Sequence, residues 1–532
     1  MPVLIEPTSP THAIANGGAN SALTSGRILA RNAAGNLVSQ CVPMAVAIVS
    51  MPWLIRGLGT DRFGVMTLAW MVLGYFSLFD LGLGRALTKM VAEKLGRSED
   101  EEVPGLIWTA MTLMMGLGLV GTGTVTWITP WLVNDALKIS GTLRDESLGA
   151  FYFMGAALPF LIGTSGLRGV MEAYQKLRTA NILRTTTALA ILLGPLALLP
   201  FTTDLRAAVG IVAAARLASF IGHAWLCLRV VPGMRQGSGF RRDFLRPMLG
   251  YGGWMTAVNV INPLMVQMDR FLVGALISTA AVTFYTTPYE LITKGWFLSN
   301  AVLGVIFPAF ATSYVQDRRR TVLIFERCLR YVAIILFPLA LVSIAAGHEL
   351  LTVWLGADFA RQSTQVMQWL ALGVLLNGLA QVPSALLQGV GRPDITFKIH
   401  LAELPPYLLA AWVLTLRYGI TGTAMAWAGR TALDLALYFA VVGKILPGGG
   451  EVVRRALRGL APALALLLAA ALPFGPVYRA TVLAVGSVIY LMMAWGKLLT
   501  AHERSLILGR IAPAWSGTGV MLVRDASDEG KA

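Results

Sequence analysis

Apolar stretches of about 20 residues follow one another almost from end to end of this chain, and a stretch of that length crosses roughly 30 Å of hydrocarbon as a helix. They lie near 33–55, 63–84, 105–131, 148–168, 182–201 and 207–229, then near 248–276, 281–312, 331–355, 364–389, 396–416, 420–443, 457–473 and 478–499. The pattern predicts an all-α, polytopic membrane protein of about 14 transmembrane helices. The connections leave no room for a soluble catalytic domain, so any function is expected to reside within the membrane.

Composition agrees with this pattern. Of the 532 residues, 56% are hydrophobic and only 13% charged, against about 25% charged in a soluble domain; the mean hydropathy is +0.66. The formal charge of +15 raises the question of nucleic acid, but the basic residues sit in short connections between apolar runs. With the N-terminus in the cytoplasm, roughly 31 of the 43 Lys and Arg fall on the cytoplasmic side, 8 on the other and 4 within helices. The main contributors are Arg168, Lys176, Arg178 and Arg184, then Arg229, Arg235, Arg241, Arg242 and Arg246, then Arg318, Arg319, Arg320, Arg327 and Arg330. The charge therefore reads as topology and not as a nucleic-acid surface.

Residues 1–27, rich in Ala, Gly, Ser, Thr and Asn without an apolar core, read as a disordered cytoplasmic tail and not as a signal peptide, and 500–532 as a second cytoplasmic tail. Cys41, Cys227 and Cys328 have no metal-ligand spacing, so neither a disulfide nor a metal site is expected. There is no Walker loop, HExxH or CxxC pair. The chain is therefore expected not to be an enzyme and to need no cofactor; energy would come from an ion gradient, the membrane potential or the substrate gradient.

Ionisable groups inside a membrane are costly, about 2.5 to 3.5 kcal/mol at the centre on insertion scales, so they mark cavities or pairs. In the run 248–276, Asn259, Asn262, Gln267, Asp269 and Arg270 fall within roughly 160° of a helical wheel, with Pro263 interrupting the helix. A water-filled cavity wall and an amide-bonded helix seam both fit that face. The next run repeats the motif with Thr283, Thr286, Thr287, Glu290, Thr293 and Lys294. There Glu290 and Lys294, at i, i+4, allow either a cavity or a self-neutralising pair.

Arg430 and Asp434 have the same spacing and read as a structural pair. Arg216 has no local acidic partner. His400 and Glu403 lie one turn apart before Pro405 and Pro406, which predict a kink. Asp80 closes the second run, within reach of Arg85. Asp80, Asp269, Glu290 and Glu403 are the candidate ion-coupling carboxylates.

The stretch Leu58-Gly59-Thr60-Asp61-Arg62-Phe63-Gly64, followed by Asp80-Leu81-Gly82-Leu83-Gly84, resembles the opening of bacterial polysaccharide transporters. These are the Wzx-type O-antigen flippases of the multidrug, oligosaccharidyl-lipid and polysaccharide exporter superfamily. Gln267-Met268-Asp269-Arg270-Phe271-Leu272-Val273-Gly274, followed by Phe284-Tyr285, is similar to the start of that family's second half. The resemblance implies two pseudo-symmetric six-helix bundles, here 28–231 and 240–446, with two additional helices within 452–499.

It further implies alternating access in the bacterial inner membrane and an undecaprenyl-pyrophosphate-linked oligosaccharide as substrate. A polysaccharide polymerase and glycosyltransferases are the implied partners. Arg216, Arg270 and Lys294, with Asn259 and Asn262, would then meet the pyrophosphate and its sugars. Trp254, Tyr289 and Trp296 read equally as sugar platforms or as core aromatics. A multidrug or cation exporter of the same superfamily is the alternative, expected to carry a more acidic cavity. A polytopic glycosyltransferase or polymerase would need a large loop that the sequence lacks.

Overall fold

Among the described residues the apolar runs fold as helices, and no strand occurs. The computed structural model describes residues 26–493 except 78–81, 175, 237–238, 246–247, 249–266, 298, 300–301, 304–305, 307–309, 311–312, 315–316 and 473–474. In order, the helices are α1 (Gly26–Leu58), α2 (Thr60–Ser77), α3 (Leu83–Gly96), α4 (Val103–Trp131), α5 (Arg144–Ala173), α6 (Leu177–Leu198) and α7 (Leu205–Val230). Next come α8 (267–276), α9 (Thr279–Thr293), α10 (Arg318–Ala345), α11 (Gly347–Leu355), α12 (Ala357–Gly389), α13 (Pro393–Ile445), α14 (Gly449–Ala471) and α15 (Pro476–Met493). Among the described residues, eight helices are long and apolar enough to cross a membrane. This is a multi-pass membrane protein.

Elements depart from the sequence pattern in three places; in one, the run expected near 331–355 is divided between α10 and α11. Helix α3 arises in what reads as a run end and connection. It buries Leu83, Ala86, Leu87 and Val91 while Arg85 and Lys89 face outward, so its apolar stripe has a helical period. Helix α13 joins two expected runs into one element. Pro405 and Pro406 lie inside it, yet the non-helical torsions occur at Gly419, with φ 61° and ψ −144°. That left-handed conformation suits a residue without a Cβ, and it divides α13 into two limbs that fold against each other: Thr415 and Thr423 hydroxyls, on either side of the turn, lie 2.7 Å apart.

The chain divides into two compact units, residues 1–294, 348–373 and 392–434 in one and 295–347, 374–391 and 435–532 in the other. In the first, Leu87, Leu106, Met114, Ile162, Val170 and Cys227 belong to a core shared by α3, α4, α5 and α7. In the second, α10, α14 and α15 pack together, and Tyr490 on α15 donates to the Ile334 carbonyl and stacks on Phe337 at 4.8 Å.

The connections of the first unit gather at two ends. At one end, Arg62 pairs with Glu146 at 2.8 Å and Glu146 accepts from the Leu205 amide at 3.1 Å. Thr279 donates to Asp61 at 2.8 Å, and Lys138 donates to the Leu276 carbonyl at 2.6 Å. At the other end, Lys94 binds Glu99 and Glu102 at 2.8 and 2.6 Å and lies 5.6 Å over the Phe244 ring, while the Arg241 amide donates to Thr109 at 2.9 Å.

Candidate functional site

Helices α8 and α9 meet at a tight turn in which Ser278 caps α9 by accepting from the Ala281 amide at 3.1 Å. The turn brings the polar faces of both helices together. Asp269 and Arg270 on α8 are 1% and 6% exposed, so the polar face is buried at these two positions. Asp269 accepts from the Tyr285 hydroxyl at 2.5 Å and from the Arg270 amide at 2.8 Å, which satisfies a buried carboxylate.

The Arg270 guanidinium lies 4.4 Å over the Tyr289 ring and donates to Glu290 Oε1 at 3.2 Å. Lys294 Nζ reaches the other oxygen of the same carboxylate at 3.0 Å. One carboxylate thus serves two cations. The Arg270 side chain is closed off, whereas those of Glu290 and Lys294 are 32% and 39% exposed, so the cluster opens on its α9 side.

The threonine stripe on α9 divides by role. Thr283 donates to the Thr60 carbonyl at 2.7 Å and forms part of the seam with α2. A Cβ at Gly64 would collide with the Thr279 carbonyl, so this close approach requires glycine. Thr286 and Thr287 are fully buried, and their hydroxyls have no hydrogen-bond partner among the described residues. Tyr289 is also core: it is 3% exposed and packs edge-on against Trp427 at 5.6 Å, which removes it as a platform for sugar rings. Trp296 is half-buried, and Trp254 lies outside the described residues.

The second limb of α13 carries Arg430, whose guanidinium sits 5.4 Å over the Tyr407 ring. No ion pair within 4.0 Å joins it to Asp434 among the described residues; Asp434 instead approaches His400 at 4.0 Å, and Glu403 approaches His400 at 3.9 Å. Asp269, Arg270, Glu290 and Lys294 therefore form one cluster, and Glu403 belongs to another. Arg216 on α7 makes no ion pair among the described residues, and its Nε has no hydrogen-bond partner there. Asp80, Asn259 and Asn262 lie outside the described residues.

Within the second unit a cavity of about 610 Å³ is walled mainly by apolar side chains, among them Leu329, Phe337, Leu379, Leu460 and Tyr490, with Arg455 paired to Glu326 at 3.2 Å on the same wall. It did not stand out in the sequence, because its residues come from α10, α12, α13, α14 and α15.

Residues 29–313, more than half of the chain, match the family described as polysaccharide biosynthesis protein. The chain belongs to that family. It is similar to a Shigella flexneri protein named as an O-antigen transporter, with 29% identity over 407 residues that cover 76% of this chain and 96% of the relative. Two solved structures share the fold. One is an inward-facing multidrug resistance MATE family transporter of the MOP superfamily, with TM-score 0.65 and 13% identity, covering 80% of this chain and 99% of that one. The other is the lipid II flippase MurJ, with TM-score 0.64 and 12% identity, covering 90% and 99%.

Proposed function

We propose that this protein is a flippase that carries an undecaprenyl-pyrophosphate-linked oligosaccharide from the cytoplasmic to the periplasmic leaflet of the bacterial inner membrane by alternating access. The family and the transporter relatives support transport over catalysis. The observation that carries the substrate reading is the sharing of Glu290 between Arg270 and Lys294. Two cations held on one carboxylate form a ready anion receptor. A pyrophosphate offers more acceptor oxygens than a carboxylate and can displace Glu290, taking charge-assisted hydrogen bonds from both.

The exposed α9 side is where the ligand would enter. Arg216, without an acidic partner among the described residues, is a second anion contact in this reading. The apolar cavity of the second unit suits an isoprenoid tail, which needs contact area and no hydrogen bonds. Two six-helix bundles, 28–231 and 240–446, would rock about this site, with both termini cytoplasmic. Glycosyltransferases and a polymerase would act before and after it.

The test is complementation of a strain lacking the gene. Wild-type protein is expected to restore surface glycan, Lys294→Ala is expected to leave lipid-linked oligosaccharide in the inner leaflet at normal protein abundance, and Arg270→Ala is expected to do the same when glycan is normalised to the folded protein present. Full restoration by both variants would sink the pyrophosphate reading.

A further inference from the structure

The two limbs of α13 assemble a second polar cluster that the transport reading does not use. His400 and Glu403 stand at i, i+3 on the first limb, and Asp434 comes from the second limb beyond the Gly419 turn. His400 Nδ1 is 3.9 Å from Glu403 Oε2 and 4.0 Å from Asp434 Oδ1, and one donor atom from each residue lies within 4.8 Å of the others.

Glu403 is 2% exposed and neither of its oxygens has a hydrogen-bond partner among the described residues; Asp434 is 3% exposed and its Oδ1 has none either. Two buried carboxylates without donors are costly, and a buried charge is ordinarily paired or bound to a metal. The nearest cation in sequence, Arg430, lies over Tyr407 and makes no ion pair within 4.0 Å among the described residues.

We propose that His400, Glu403 and Asp434 bind one divalent transition-metal cation of the zinc class. One imidazole nitrogen and two carboxylate oxygens form a donor set that such ions favour, and the imidazole disfavours sodium, magnesium and calcium. Ligand atoms bonded to zinc at about 2.0–2.2 Å in a tetrahedron stand roughly 3.3–3.6 Å apart, so a site whose donor atoms lie within 4.8 Å of one another closes around the ion by about 1 Å at its widest. Metal sites of helical bundles are built this way, from an i, i+3 carboxylate and imidazole on one helix and a carboxylate on a facing one. The ion would neutralise both carboxylates and tie the first limb of α13 to the second.

The test uses full-length protein in detergent, stripped with chelator and titrated with Zn²⁺, Mn²⁺ or Mg²⁺, with bound metal per chain and melting temperature as readouts. About one Zn²⁺ per chain and a rise in melting temperature are expected for the wild type, with little response to Mg²⁺. His400→Ala, Glu403→Gln and Asp434→Asn are each expected to weaken Zn²⁺ binding by about tenfold or more, whereas His348→Ala leaves it unchanged. X-ray absorption of the zinc-loaded wild type, which needs no variant to fold, is expected to show one imidazole and otherwise oxygen ligands. Absence of stoichiometric Zn²⁺ on the wild type, an imidazole-free spectrum, or undiminished binding by Glu403→Gln combined with Asp434→Asn would overturn the proposal. None of these readouts depends on transport, so the flippase reading stands or falls separately.

Discussion

Arg270 donates to Glu290 across 3.2 Å, a contact that links α8 to α9 and leaves the second oxygen of Glu290 to Lys294. The two cations are therefore not equivalent. Arg270 is buried and also covers Tyr289, so Arg270→Ala is expected to cost about 1.5–3 kcal/mol of stability through the lost charge-assisted bond and packing. Lys294 is more than a third exposed, and its loss leaves Glu290 bound to Arg270. For Lys294→Ala the expected cost is under about 1 kcal/mol. Thermal unfolding of the purified variants gives the ranking, and an equal or larger loss for Lys294→Ala would contradict it.

Transport separates a ligand from a staple at the same position. If Lys294 meets phosphate as a point charge, Lys294→Arg is expected to retain part of the surface glycan and Lys294→Ala none. Combining Glu290→Gln with Lys294→Gln removes the Glu290–Lys294 ion pair without stranding a carboxylate and leaves an amide oxygen at 290 to accept from Arg270, so it is expected to fold and still fail to transport. Full transport by that double variant would leave Lys294 as half of an internal salt bridge.

How much of this site the sequence disclosed depends on whether each contact is local or tertiary. Glu290 and Lys294 pair at i, i+4, and the helical period alone brings them together. The Arg270–Glu290 contact needs the turn at Ser278, and only the polar character of both faces hinted at it. Asp434 went to the wrong partner, because i, i+4 spacing suggested Arg430 while the turn at Gly419 delivers it to His400. Likewise the double proline drew attention to 405–406 although the chain turns at Gly419, and no local signal marked Tyr289 as the seat of a guanidinium. Helix α3 was hidden because its narrow apolar stripe carries too many charged neighbours to register as a membrane run.

The seam between α2 and α9 offers a test of packing outside the Arg270–Glu290–Lys294 cluster. A Cβ at Gly64 would meet backbone, the Thr279 carbonyl, which cannot rotate aside as a side chain can. Gly64→Ala is expected to cost about 1–3 kcal/mol by forcing the helices apart. Gly116→Ala, where nothing lies within 4 Å, is expected to be neutral or slightly stabilising. Melting temperatures of the two variants decide the matter, and a stable Gly64→Ala would show the seam to be compliant.

Asp204, in the connection before α7, caps that helix by accepting from the Arg206 amide at 2.8 Å and also pairs with the Arg206 guanidinium. The hydrogen bond from the Arg206 side chain, before any other influence, holds the Asp204 carboxyl below its ordinary value. Its contribution to stability is therefore complete above the unfolded value, about 3.9, and is lost only as pH falls through the lower folded value. Acidification from pH 7 to 5 is expected to leave the effect of Asp204→Ala, about 1 kcal/mol from the lost cap, unchanged. An effect that fades between pH 7 and 5 would place the carboxylate in a different environment.

Topology gives the broadest test, because the two ends of the first unit differ in how their basic residues are held. At the end that gathers residues 61–62, 138–146, 204–206 and 276–279, Arg62 and Arg206 are neutralised by Glu146 and Asp204. The opposite end carries Arg168, Lys176, Arg178, Arg184, Arg229, Arg235, Arg241 and Arg242, in excess over the acidic residues beside them. Insertion retains such an excess in the cytoplasm, so the first end is expected to face the periplasm and both termini the cytoplasm. Reporter fusions after residues 140 and 358 are expected to give periplasmic signals, and fusions after 238 and 318 cytoplasmic ones. Because the contacts fix which connections of the first unit share an end, inversion at both 140 and 238 would turn that unit over as a whole. Inversion at only one of those two sites would mean that a helix between them fails to cross the membrane.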